Sequence, residues 1–235
     1  MAEFMAHNRD ILVRTARALG SLCERFVFIG GSIVELLITD EAGPSMRSTE
    51  DVDVIVKAAT TAEYHDLYPD LANCGFSPDP QSGVICRFKK GDLLLDVMPS
   101  EADILGFTNI WYASALRHPM RIQLERDLTI NVIKPAYFLA TKSIAFRSRG
   151  KSNYFGSHDF EDMIAVLDGR PSIVNDIGDS PGDVRAFLVT ECRLLMADRD
   201  LAEGVRANLA PDSASQSRHR IIIEKLRALA ALAMA

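Results

Sequence analysis

The sequence predicts an α+β fold, with a mixed sheet and flanking helices over residues 1–134 and an all-helical part over residues 135–235. Three observations predict it. Residues 26–133 carry short apolar runs of strand length separated by turn residues. At Lys134-Pro135 the pattern changes to helical spacing and stays helical to the end. No apolar run approaches the ~20 residues that span a bilayer, so no membrane segment is expected.

In order along the chain, Met1 to Gly20 alternates apolar and charged residues and reads as an amphipathic helix, not a signal peptide. Phe26-Val27-Phe28-Ile29 is a strand, Gly30-Gly31-Ser32 a tight turn, and Ile33 to Ile38 a helix. Glu41 to Ser48 is a loop with Gly43 and Pro44, and Asp51 to Val56 a second strand. Thr60 to Cys74 is a helix, with Thr60 and Glu63 in capping-box spacing. Val84–Phe88 and Leu93–Val97 are strands joined through Lys89-Lys90-Gly91-Asp92, and Met120–Leu124 and Leu128–Ile133 form another pair. Helices follow from Pro135 to about Arg149 and from Asp159 to Leu167. Two or three more are set off by Pro171, Pro181 and Pro211. Trp111 and Tyr112 read as packing residues.

The chain has 235 residues, enough to bury a sizeable core, and a net charge of −6. That acidity argues against a general nucleic-acid coat, which needs clustered Lys and Arg. Two basic stretches, Arg147 to Lys151 and Arg218 to Arg227, are either local patches or solvated helix faces. The four cysteines are scattered, without a CxxC pair or a nearby His cluster. This argues against a zinc site or a disulfide framework and makes a reducing cytoplasm the expected compartment.

Asp51 and Asp53 are the first candidates for chemistry. Alternate residues of a strand point to one side, so two carboxylates would project together from an apolar element. Their mutual repulsion needs compensation, and hard oxygen ligands suit magnesium or manganese. Two aspartates at a frayed strand start, facing water, would need none. The turn Gly30-Gly31-Ser32 tips the balance, because glycines let a phosphate approach the backbone and the Ser32 hydroxyl adds a donor. Asp96, embedded in Leu93-Leu94-Leu95-Asp96-Val97, is the third acid. If its strand lies beside that of Asp51 it completes a two-metal site of ~3.5–4 Å spacing; otherwise it caps the following segment.

Gly30-Gly31-Ser32, then Arg47-Ser48-Thr49-Glu50-Asp51-Val52-Asp53, then Asp96, resembles the signature of the nucleotidyltransferase superfamily, the DNA polymerase beta-like group. The Arg-x-Thr-x-Asp-Val-Asp form, with Pro135, Lys142, Arg147, Arg149, Lys151 and Asp159-Phe160-Glu161-Asp162, is similar to its AbiEii-type toxin branch. The resemblance covers about Phe26 to Leu167, with a longer turn between Arg149 and Asp159 than the branch leads one to expect, and no motif beyond Arg170. It implies transfer of a nucleoside monophosphate from a nucleoside triphosphate (NTP) to an acceptor hydroxyl, with release of pyrophosphate. Asp51, Asp53 and Asp96 would be metal-binding and catalytic. Lys142 would neutralise the triphosphate, with a solvated helix lysine as the alternative. Gly30, Gly31, Ser32, Arg47, Thr49 and Asp159 would bind the nucleotide. Asp162 would cap or pair, His158 would be structural, and the helical domain would complete the active-site cleft. The branch further implies an RNA acceptor (the tRNA 3′ end), a toxin–antitoxin setting and a cognate antitoxin. A small-molecule, antibiotic-modifying nucleotidyltransferase and a non-catalytic binding module are the alternatives.

Overall fold

Seven strands form one mixed sheet in the order β3-β4-β5-β2-β1-β7-β6. They are β1 (Phe26–Ile29), β2 (Asp51–Val56), β3 (Ser77–Pro78), β4 (Arg87–Lys90), β5 (Leu93–Pro99), β6 (Met120–Glu125) and β7 (Leu128–Val132). The structure, a computed structural model, describes residues 2–44, 46–106, 108–149 and 152–233. β1 runs antiparallel to β2 and parallel to β7, while β2 runs parallel to β5. β3-β4-β5 and β6-β7 are antiparallel extensions on the two sides.

The sequence explains which strand lies where. All four residues of β1 are buried, as a central strand covered on both faces requires. β2 alternates at its start, with half-exposed Asp51 and Asp53 around buried Val52 and Val54, and is fully buried from Val54 to Val56. One face of this strand therefore opens only at its N-terminal end, and that is where the aspartates stand. Gly91, at φ +62°, makes the turn between β4 and β5. The capping box forms: Thr60 Oγ1 accepts from Glu63 N, and Glu63 Oε2 accepts from Ala59 N. The helix it starts is broken at Asp66 into Thr61–His65 and Leu67–Asn73.

The chain divides into two compact units, Met1–Glu35 with Arg47–Lys134, and Leu36–Met46 with Pro135–Ala235. The excursion Leu36–Met46 belongs to the helical unit because the Thr39 and Asp40 amides both donate to Gly169 O at 2.9 Å, and Ile38 lies where a Gly169 side chain would be. In that unit the Pro135–Ser148 helix is buried on nearly all sides. It is followed by His158–Gly169, which starts at the Ser157 cap. Phe146, Tyr154 and Phe160 form an aromatic cluster with centroids 4.8–5.3 Å apart. After Arg170 the described residues form five helical segments, not two or three: Ile173–Gly178, Gly182–Ala197, Leu201–Ala207, Ser213–Ser217 and His219–Ala230.

The two basic stretches are engaged in structure. Arg218 bonds Asp168 and Asp40, and Lys225 Nζ donates to the carbonyls of Leu167, Asp168 and Arg170, closing the C-terminus of the His158–Gly169 helix. Arg147 pairs with Glu191 and Arg149 with Asp159; Lys151 and Gly150 lie outside the described residues. Among the described residues no helix is long and apolar enough to cross a membrane.

Candidate active site

Strand register alone brings the acids together. Asp53 lies opposite Asp96 in the parallel β2–β5 pair, and Asp96 lies opposite Arg87 in the antiparallel β4–β5 pair. Residues opposite one another share a face, and Asp51 shares the face of Asp53, so three carboxylates and one guanidinium project from the same side. Arg87 stands among them. Its Nε donates to Asp96 Oδ1 at 2.7 Å, and its Nη2 to Asp96 Oδ2 at 2.8 Å and to Asp51 Oδ2 at 2.6 Å. Those contacts, the Asp96 hydrogen bond first, push the guanidinium pKa still higher, so it is a permanent cation. Asp96 is 9% exposed at its side chain and Asp51 36%, so Asp51 is the member open to solvent.

The turn after β1 touches this group directly. Gly30 has φ 78° and ψ −166°, a region essentially restricted to glycine. A Cβ there would lie 1.9 Å from Asp53 Oδ2, so the carboxylate rests on the glycine backbone. At Gly31 a Cβ would lie 2.3 Å from Arg47 Nη2 and 2.8 Å from Thr49 Cγ2, so Arg47 and Thr49 pack against the same turn. The Arg47–Thr49 backbone is pinned by the N-terminal helix: Asn8 Nδ2 donates to Arg47 O at 2.9 Å, and Thr49 N donates to Asn8 Oδ1 at 3.0 Å. Ser32 is 1% and Thr49 5% exposed, and among the described residues both hydroxyls are buried without a protein partner. Buried hydroxyls are usually satisfied, and Thr15 Oγ1 is a third that lacks a partner.

One expectation is corrected here. The helix read from Ile33 to Ile38 is a 3₁₀ turn, Gly31–Ile33, followed by a single α turn, Val34–Leu37. So few aligned peptides supply little macrodipole, and what the turn offers is the Ser32 hydroxyl and the close approach of Asp53, Arg47 and Thr49 to its glycines.

Lys142, Asp159 and Asp162 come together in the helical unit. Lys142 is 7% exposed, and its Nζ donates to Asp162 Oδ2 at 2.6 Å and Asp159 Oδ1 at 3.1 Å. Arg149, largely exposed, closes a fork on Asp159 at 2.8 Å through Nε and Nη2. Burial would lower the Lys142 pKa, but the two aspartates outweigh it and the net direction is up. Burial would likewise raise Asp159, but Arg149 and Lys142 hold its carboxyl below the usual range. The arrangement is a buried ion-pair cluster that locks the Pro135–Ser148 helix to the His158–Gly169 helix. His158 Nδ1 faces Glu161 at the surface.

A divalent cation at this face would fall to Asp51 and Asp53, the carboxylates left half-exposed. Asp96 has both oxygens on Arg87, and among the described residues no three His, Cys, Asp or Glu side chains converge as a metal-ligand set. Arg87 is the functional candidate the sequence reading missed.

No protein-family profile matches the sequence, and no curated protein does. Among solved structures six chains match. One is a crystal structure of a candidate nucleotidyltransferase from H. pylori, similar over 97% of this chain and 96% of that one, at 10% identity and a TM-score of 0.46. A likeness at that level decides neither family nor reaction.

Proposed function

We propose that the protein is a metal-dependent nucleotidyltransferase. One observation carries the reading: Asp51, Asp53 and Asp96 stand in register on one sheet face, with Asp53 seated on the glycine turn that would approach a phosphate. The order of these residues in the chain supports it, through the superfamily pattern they resemble.

Asp51 and Asp53 are the residues that would hold a magnesium or manganese ion, whose chemistry is to screen triphosphate charge and acidify a bound hydroxyl. Asp53, Arg47 and Thr49 fill the space a side chain would take at Gly30 and Gly31, so phosphates reaching the turn would meet these groups. Ser32 Oγ and Thr49 Oγ1 are donors without partners, and Arg47 adds a cation beside Gly31. In the reaction an acceptor oxygen forms a bond to the α-phosphorus and the bond to the β-phosphate oxygen breaks. Pyrophosphate departs with that electron pair, and the acceptor's proton goes to solvent. Positioning and charge neutralisation carry the rate. In this reading Lys142 and Asp159 act on the stability of the helical unit.

Asp51→Asn and Asp53→Asn should each abolish label transfer from an α-labelled NTP while leaving the melting curve in place; full activity in either variant refutes the assignment. On the AbiEii-type pattern we take the acceptor to be RNA, at the tRNA 3′ terminus, with an antitoxin as regulator. Single-turnover transfer to tRNA with and without its terminal nucleotides tests this, and indifference to the terminus counts against it. A binding module that keeps the fold draws on one observation, the engagement of Asp96 and Asp51 by Arg87. Calorimetry separates the two, since an inactive module would bind nucleotide without dependence on manganese.

A further inference from the structure

We infer that Arg87 takes the place of a second divalent cation at the Asp51–Asp53–Asp96 face, so that the chain binds one metal ion where three carboxylates would otherwise invite two. The inference rests on the metal-dependent reading above and adds the stoichiometry and the residue that sets it.

Two geometric facts support it. The guanidinium forks both oxygens of Asp96 and reaches Asp51 Oδ2, so it bridges the two carboxylates as a cation shared between them would. Its place is also fixed by the backbone: Arg87 is the register partner of Asp96 on β4, and the Gly91 turn sets that register. The side chain is only 15% exposed, and withdrawing it would leave Asp96, 9% exposed, as an uncompensated buried charge.

The charge balance points the same way. Arg87 offsets one of the three carboxylates and Arg47, beside Gly31, a second, so one divalent ion more than meets the charge that remains and a second finds none to neutralise. Asp96 is then a positioning residue that holds Arg87, and Arg87 orients Asp51 toward the ion. The fixed cation also differs from a metal in what it can do, because a guanidinium neutralises charge but supplies no open coordination position. The face thus keeps one coordinating cation, at the Asp51–Asp53 end beside the glycine turn.

Manganese(II) titrated into the full-length protein, with free ion read by electron paramagnetic resonance, tests this without reference to activity. The expected result is one ion per wild-type chain, one for Arg87→Lys, which keeps the charge, and two for Arg87→Met. Two ions on the wild type, or one on Arg87→Met, overturn the inference and leave the metal-dependent reading standing. No ion on the wild type overturns both. Should Arg87→Met fail to fold, the wild-type count decides alone: one ion supports the inference and two end it.

Discussion

Replacing Gly30 by alanine should disable the site by displacing Asp53. The new Cβ would fall 1.9 Å from Asp53 Oδ2, 2.7 Å from its Cγ and 2.8 Å from its Cβ, where an ordinary contact begins at 3.4 Å. The carboxylate must retreat by more than an ångström, or the turn must move. The backbone adds its own penalty, since φ 78° with ψ −166° costs a residue with a side chain about 1–3 kcal/mol. A loss near 2 kcal/mol lowers the melting temperature of a chain this long by about 4–8 °C. Displacement of a reacting group by about 1 Å costs about 100-fold in rate, so transfer and manganese affinity should both fall steeply. Gly83→Ala is the control: Gly83 has φ +72° with nothing within 4 Å of a new Cβ, so it meets left-handed strain of about 1 kcal/mol and no collision. Differential scanning fluorimetry, manganese titration and label transfer compare the pair. Equal manganese binding and transfer in Gly30→Ala and Gly83→Ala would refute the role given to the turn.

Lys142→Met should remove the buried ammonium that Asp159 and Asp162 share, and cost about 3–5 kcal/mol in chemical denaturation; a loss below about 1 kcal/mol contradicts the cluster's structural role. Because the Asp159 carboxyl is held below its unfolded value of ~3.9, its stabilisation is complete above that value and is lost as pH falls through the lower folded one. Urea midpoints measured from pH 5 to pH 2 should therefore fall more steeply for the wild type than for Asp159→Asn. Burial pushes the Cys23, Cys86 and Cys192 thiols up to about 12, with Asp96 and Asp53 adding to the rise at Cys86, so at pH 7.5 iodoacetamide should modify half-exposed Cys74 first. Mass spectrometry of the labelled peptides checks this, and early labelling of Cys86 would mean that the face around Arg87 opens.

What could be read from sequence followed from local periodicity. β1, β2, β5 and the β6–β7 pair fall where apolar runs meet turn residues, and the placement of Asp51 and Asp53 on one face needs only the two-residue repeat of a strand. Asp96 was legible as an acid in an apolar run, but its place beside Asp53 depends on a parallel pairing between strands distant in sequence. Arg87 could have been found. With the turn at Gly91-Asp92, Lys90 faces Leu93 and Arg87 faces Asp96 by counting outward. A hairpin read with Lys89-Lys90 in the turn, two residues too long on one strand, sets Arg87 opposite Leu94 and hid that partnership. Two features had no local signal. The Asn8 clamp on Arg47 and Thr49 is made by an ordinary amide on a helix, far away in sequence. The short turn after Gly31 reads as a helix because Ile33 to Leu37 is apolar but for Glu35, yet the chain leaves it after Leu37 to pair with Gly169.

The measurement that bears most directly on the proposed reaction is label transfer. The purified protein, with magnesium or manganese and each α-labelled NTP in turn, is incubated with total bacterial RNA beside the Asp51→Asn/Asp53→Asn double variant. Metal-dependent movement of label onto RNA of tRNA size by the wild type alone is the result predicted here. Equal labelling by the double variant, or no labelling together with no metal-dependent nucleotide binding, would contradict it.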